Sequence, residues 1–342
     1  MDNVGIDLHK RESQICILSA TGEIVLEQRI KTTRESFANL FAERAKCRLM
    51  IEACGESEWV ARVLEGFGHE VVIADPSYEP MYSHRNRKVK TDRRDARALA
   101  EALRNGVFRR AHRKSDEQRH RSALLAVRQG LVRTRAKLIV IAKALVRRTG
   151  QRVRTGAAER FSFLLAELEL PADIDSELAP ILAVLPTLDQ QIEIADTQLE
   201  ELSRKDERVA RLQSIPCVGP VTSVAFLAVI DQAGRFETAQ QVPAYLGIVP
   251  REYSSGEKQR KGRITKAGNS QLRSLLVQTA LRIRRSRAEA LTHLRAWNEK
   301  IAARRGRKVA VVALARKLAM ILFSMLRDGT LFHAPKVAPE AA

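Results

Sequence analysis

The chain is poor in the residues that staple small secreted domains. Its four cysteines, Cys16, Cys47, Cys54 and Cys217, are scattered through 342 residues with no Cys-x-x-Cys pair. That spacing excludes a disulfide framework and a zinc knuckle, and a reducing cytoplasm is the expected compartment. Aromatic residues make up only 5%, so stacking on exposed rings is not a main binding mode. No apolar run approaches the ~20 residues of a membrane span. The start, Met1-Asp2-Asn3-Val4-Gly5-Ile6-Asp7, puts an acid inside the first apolar stretch, unlike a signal peptide. Neither a membrane nor a secreted role is expected. Seven histidines, His9, His69, His84, His112, His120, His293 and His333, show no metal-ligand spacing. His9 shares a strand face with Asp7, and a solvated strand-end imidazole is the expected reading.

Two local absences organise the chain. Residues 81–170 contain no proline, which permits long helices. Residues 161–200 contain no Lys or Arg and nine acids. Basic charge is abundant on either side: residues 81–160 hold 24 basic and 6 acidic side chains, and residues 251–330 hold 20 and 5, within a total net charge of +19. Two such blocks form an electrostatic footprint for a phosphate backbone.

The first 80 residues read as strands Val4 to Leu8, Gln14 to Leu18 and Ile24 to Ile30. A helix from Glu35 to Arg44, a strand Arg48 to Glu52, a helix from Glu56 to Gly66 and a strand Glu70 to Ala74 follow. The order β-β-β-α-β-α-β, then helix, predicts an α/β layer of three meandering strands with a parallel extension, the order of the ribonuclease H-like fold. Further on, Leu124, Val127, Leu131, Thr134, Leu138, Ile141 and Leu145 alternate spacings of three and four. A second seam, Leu185, Leu188, Ile192, Ala195, Leu199 and Leu202, follows the proline-punctuated stretch Pro171, Pro180 and Pro186. The first helix is basic and the second acidic, so they can pair within one chain or across a dimer. The segment Ser214 to Thr222 reads as a tight turn between helices, like the hairpin of a helix-hairpin-helix unit.

Asp7 lies in an apolar strand, where an unpaired carboxylate costs several kcal/mol. Glu52 closes a strand at the edge where α/β sheets place their sites. Asp92 and Asp95 share one face of a helix that Thr91 caps. Four carboxylates converging on one sheet end require a divalent cation, Mg²⁺ or Mn²⁺, singly or as a pair. Taken alone, Asp92 and Asp95 also suit a helix first turn, paired with Arg93 and Arg94.

Together, Gly5-Ile6-Asp7, Ile51-Glu52-Ala53-Cys54-Gly55 and Lys90-Thr91-Asp92-Arg93-Arg94-Asp95-Ala96 resemble the DEDD transposases of bacterial insertion sequences, relatives of the Piv DNA invertase. Pro216-Cys217-Val218-Gly219-Pro220, Tyr245 to Pro250, Ser255-Gly256 and Gly262 to Asn269 resemble that family's C-terminal domain. The Cys217 position more often carries glycine there, a departure expected only to stiffen the turn. The resemblance implies a RuvC-like catalytic domain at 1–110, a helical coiled-coil dimerisation segment at 111–208, a mainly α transposase domain at 209–332, and a disordered tail at 333–342. It implies metal ligation by Asp7, Glu52, Asp92 and Asp95, and a nucleophile at Ser255, with Ser254 a rival. Lys258, Arg260, Lys261, Arg263 and Lys266 are placed to clamp the scissile phosphate. No histidine adjoins Ser255, so a Ser-His-Asp hydrolase does not fit.

By this resemblance the chain is an insertion-sequence recombinase, working as a homodimer or homotetramer on element-end and target DNA through a covalent phosphoserine. A structured guide RNA would pair with both DNAs. Two other readings stand beside it: a RuvC-like junction-resolving nuclease without a serine intermediate, and a non-catalytic nucleic-acid-binding protein.

Overall fold

The structure is a computed structural model and describes residues 1–82, 91–252 and 261–334. The chain forms two compact units, Met1–Lys114 and Ser115–Ala342.

In the first unit a five-stranded sheet has the order β3-β2-β1-β4-β5. Its strands are β1 (Asn3–Leu8), β2 (Glu12–Leu18), β3 (Ile24–Lys31), β4 (Arg48–Glu52) and β5 (Glu70–Ala74), with α1 (Arg34–Phe41) and α2 (Ser57–Gly66) between them and α3 (Asp92–Asn105) after. The first three strands form an antiparallel meander; β4 and β5 extend it in parallel. The mixed α/β sheet expected from the element order is present. Val4 to Ile6 of β1 and Leu49 to Ile51 of β4 are apolar because both sheet faces are covered. On one face Phe37 and Phe41 of α1 and Val60 and Leu64 of α2 pack on Val4, Ile6, Leu49 and Ile51. On the other, Leu99 and Leu103 of α3 pack on Met50 and Val72, and Ala96 and Ala100 on Cys16 and Leu18.

The second unit is mainly helical: α4 (Asp116–Arg147), α5 (Phe161–Ala166), α6 (Ala172–Lys205), α7 (Glu207–Leu212), α8 (Pro220–Ile230), α9 (Gln241–Tyr245), the two-stranded β6 (Pro250–Glu252) and β7 (Lys261–Ile264), then α10 (Ser270–Arg285), α11 (Thr292–Arg305) and α12 (Arg307–Asp328). Central α8 is buried from Thr222 to Ile230.

α4 and α6 pair within the chain, antiparallel, with Arg128 on Asp196, Arg135 on Asp189 and Arg148 on Glu177. The buried stripe of α4 is displaced by one residue from the expected seam. Leu125, Arg135, Ile139, Ala142 and Val146 are buried, whereas Val127 and Ile141 are exposed by 61% and 42%. Two apolar stripes interleave on this helix, and the sequence periodicity marked the outer one. On α6 the expected positions Leu185 to Leu199 are buried, and the helix runs through Pro180 and Pro186 without ending. Burial of Ile174, Leu178 and Leu185 against Ile139, Ala142 and Val146 offsets the backbone bonds the prolines forfeit.

α12 is, by length and composition alone, apolar enough to cross a membrane, with a mean hydropathy of 2.0 over its best 18 residues. Arg316 and Lys317 interrupt its apolar run, and Leu314, Leu318, Leu322 and Phe323 are fully buried. It is a core helix of the second unit. The turn before α8 is tight, with Gly219 as N-cap and Pro220 in the first helical position. Cys217 takes φ +74° there, so its Cβ carries strain that glycine would not, which corrects the expectation of mere stiffening. The tail beyond residue 334 lies outside the described residues.

Candidate metal centre

The site is assembled by strand alternation and one close helix contact. β1 and β4 run in parallel with Gly5 opposite Met50 and Ile6 opposite Ile51; Asp7 and Glu52 are the next residue on each strand. Successive side chains alternate faces. A Cβ on Gly5 would point into α3, and Met50 packs on Leu99 and Leu103 of α3. Asp7 and Glu52, two residues further along, therefore face the α3 side together.

α3 brings the other pair. Thr91 is its N-cap, its hydroxyl accepting from the Arg94 amide at 3.4 Å, as the sequence predicts. Asp92 and Asp95 occupy the first turn; Asp95 is buried and the Asp92 side chain is 41% exposed. One turn further, Ala96 and Ala100 lie directly over Gly5.

Among the described residues, one set of three potential ligand atoms converges, from Asp7, His9 and Asp92, all within 4.8 Å of one another. His9 Nε2 lies 3.3 Å from Asp7 Oδ2 and 3.6 Å from Asp92 Oδ1. His9 is thus both solvated, as expected of a strand-end imidazole, with 55% of its side chain exposed, and in contact with the two aspartates. Glu52 and Asp95 border this set without joining it. The carboxylate oxygens suit either Mg²⁺ or Mn²⁺, and the imidazole nitrogen suits the transition ion of the two, so the residues fit the implied ion.

Cations stand around the acids, but not the ones expected. Arg93 and Arg97 both turn to Glu27 of β3, whose side chain is only 6% exposed. Burial pushes the Glu27 carboxyl up, yet the hydrogen bonds from Arg93 and Arg97 and their charges outweigh it and hold the group below the usual carboxylate range. Arg29, on the same strand, donates to Asp92 Oδ2 at 2.7 Å. A cavity of about 330 Å³ opens beside these residues, lined by His9, Lys10, Arg11, Glu12, Arg29 and Asp92, with Gln14.

In the second unit, Ser254, Ser255, Lys258 and Arg260 lie outside the described residues. Lys261 opens β7, and Arg263 and Lys266 are exposed. The ends of the β6–β7 pair are interlocked. Gly247 at φ +67° and Gly268 at φ +65° let two loops cross so closely that a Cβ on either would fall 2.3 Å or less from backbone atoms of the other. Arg273 of α10 binds the crossing by donating to the carbonyls of Leu246 at 3.0 Å and Gly268 at 3.2 Å, and to that of Ala267. Sequence reasoning placed His9 on the strand face of Asp7 but missed Arg29, Glu27 and Arg273 as structural partners of these motifs.

Comparison with known proteins decides the family. Residues 4–150 match the model of the IS110-type DEDD transposases, described as a transposase, and residues 209–295 match the model described as transposase, IS116/IS110/IS902 family. A probable family 20 transposase of Pseudomonas aeruginosa is 31% identical over 97% of this chain and 99% of its own length. The chain belongs to the IS110/IS116/IS902 family of transposases. Similar to it at 30% identity are the transposase for insertion sequence element IS1111A of Coxiella burnetii, over 94% of this chain and 89% of that protein, and that for IS1328 of Yersinia enterocolitica, over 96% and 98%. In this IS110-family transposase the N-terminal match takes in Asp7, Glu52, Asp92 and Asp95, and the C-terminal match takes in Ser255 and the interlocked loops.

Proposed function

We propose that this transposase is an RNA-guided DNA recombinase of an insertion sequence, whose RuvC-like first domain and C-terminal serine together cut and exchange DNA strands. The observation that carries it is the convergence of Asp7, His9 and Asp92 on the α3 face of the sheet, with Glu52 and Asp95 beside them. Asp7, Glu52, Asp92 and Asp95 would hold Mg²⁺ or Mn²⁺. When bound, the ion supplies Lewis acidity toward a phosphodiester and offsets the charge of the acids.

The chain's own residues do the rest. Ser255 Oγ attacks the scissile phosphorus, the bond from phosphorus to the 3′ oxygen breaks, and a 5′-phosphoserine forms; the serine proton is released and the 3′ oxygen leaves protonated. Attack by a free 3′ hydroxyl reverses the step and joins new partners. Lys258, Arg260, Lys261, Arg263 and Lys266 hold the phosphate in place. A structured guide RNA paired with element-end and target DNA reads sequence, so the protein binds by shape and phosphate. The homodimer or homotetramer is supported by the outer stripe of α4, where Val127 and Ile141 are exposed.

The test is incubation of the full chain with element-end DNA, Mg²⁺ and RNA transcribed from the flanking sequence, then denaturing electrophoresis. A protein–DNA adduct absent from Ser255→Ala and Asp7→Ala supports the reading. Cleavage without an adduct, surviving Ser255→Ala, identifies a junction-resolving nuclease, and RNA binding without cleavage identifies a non-catalytic binder.

A further inference from the structure

We infer that His9 is a nitrogen ligand of the metal centre, which makes the site select Mn²⁺ over Mg²⁺. The inference rests on the reading of the acids as a metal site and adds a ligand to it.

The geometry comes first. Ligands about 2.1 Å from an octahedral ion stand about 3 Å apart when adjacent. His9 Nε2 lies 3.3 Å from Asp7 Oδ2 and 3.6 Å from Asp92 Oδ1, close to that spacing before any ion draws the donors in. The imidazole is also held at its root. The His9 carbonyl accepts from Thr32 Oγ1 at 2.7 Å, and the Thr32 amide donates to the Arg11 carbonyl at 2.8 Å, so the turn after β1 is fastened to the end of β3. Arg29 contributes by occupying Asp92 Oδ2 at 2.7 Å, which leaves Oδ1 as the oxygen facing His9.

The position has access as well as order. Asp7 is nearly buried, with 14% of its side chain exposed, whereas His9 and Asp92 are half open. An ion can therefore enter from the histidine side, along the wall of the cavity formed by His9, Glu12 and Asp92. Lys10, Arg11 and Arg29 line the same opening, which suits phosphate oxygens.

The choice of ion follows from donor chemistry. Mg²⁺ is a hard ion satisfied by oxygen and water, whereas an imidazole nitrogen raises affinity for first-row transition ions. An all-carboxylate site needs no such donor. His9 at this place converts an oxygen site into a mixed one.

The experiment uses the full chain with Mn²⁺ alone and reads the electron spin echo of the bound ion, whose modulation reports directly bonded nitrogen-14. Wild type is expected to show imidazole modulation that disappears in His9→Ala and persists in His120→Ala. The ratio of Mn²⁺ to Mg²⁺ affinity is expected to fall about 10-fold in His9→Ala. Since His9 is exposed beyond the end of β1, the variant is expected to keep the wild-type circular dichroism. His9→Gln is the second variant, and it too should lose the modulation. Bound Mn²⁺ without nitrogen modulation in wild type, or modulation surviving His9→Ala, overturns the inference while leaving the carboxylate site standing. Mn²⁺ binding that is absent, or unchanged in Asp7→Asn, overturns both.

Discussion

Gly5 of β1 lies against the backbone of Ala96 on α3 so closely that a Cβ would fall 2.0 Å from the Ala96 carbonyl oxygen and 2.4 Å from the Ala100 nitrogen. Neither atom belongs to a flexible side chain, so any substitution must push the helix off the strand. Asp7 and Asp92 sit on those two elements, and their spacing is set by this contact.

Gly5→Ala is therefore expected to lower stability by about 1–3 kcal/mol, the usual cost of overpacking. Mn²⁺ affinity should fall with it. Gly55→Ala is the control, since nothing lies within 4 Å of a Cβ there. Denaturant unfolding and a metal titration of the two variants check this; equal behaviour would contradict the contact's role.

Cys217 carries strain in the turn before α8, at φ +74°. Cys217→Gly removes the Cβ, whereas Cys217→Ala keeps it and loses only the thiol. The glycine variant is expected to be about 1 kcal/mol more stable than the alanine variant, measured by thermal unfolding. A more stable alanine variant would show that the turn holds no strain.

Asp206 caps α7 and joins Arg121 at 2.7 Å and Arg208 at 2.8 Å, with the Arg121 side chain only 3% exposed. Burial raises the Asp206 pKa, but hydrogen bonds and charge from Arg208 and Arg121 prevail, and the carboxyl titrates well below its ordinary value. A depressed carboxylate contributes stability that is complete above the unfolded pKa, about 3.9, and is lost as pH falls through the lower folded value. Asp206→Asn leaves buried Arg121 with only the exposed carboxylate of Glu117 and is expected to cost about 3 kcal/mol at pH 7. The gap between variant and wild type should narrow below about pH 4, which urea unfolding at several pH values reads out.

The outer stripe of α4 gives a test of assembly. Val127→Glu combined with Ile141→Glu is expected to convert the proposed dimer to monomer in sedimentation, with the melting of the isolated chain changed by no more than about 0.5 kcal/mol. An oligomer that survives both charges would have to be held elsewhere.

The strand order was legible because the middles of β1 and β4, Val4 to Ile6 and Leu49 to Ile51, are apolar on both faces, and only a sheet covered on both faces tolerates that. Asp7 stood out against this background, and Thr91 announced the start of α3. His9 was harder to place, since its partner Asp92 is 83 residues away and only the tertiary fold shows them meeting. Periodicity misled on α4 because Arg135 occupies the buried stripe, a position that apolar pattern matching rejects and that only Asp189 and Glu159 explain. Pro180 and Pro186 punctuate the sequence before the second seam, yet tertiary packing carries α6 through them. The Arg93 and Arg94 pairing weighed for Asp92 failed because Glu27, on a different strand, takes Arg93 and Arg97 instead.

The charge ladder between α4 and α6 changes what the chain's surplus of cations means. Arg128, Arg135 and Arg148 are already neutralised by acids of the same chain, so they have few counterions to shed when a polyanion arrives. Arg282, Arg284, Arg285, Arg287, Arg304, Arg305, Arg307 and Lys308 make no ion pair among the described residues and keep their ionic atmosphere until phosphates displace it. The steepness with which added salt weakens nucleic-acid binding should thus follow substitutions in this second group and be nearly indifferent to the first.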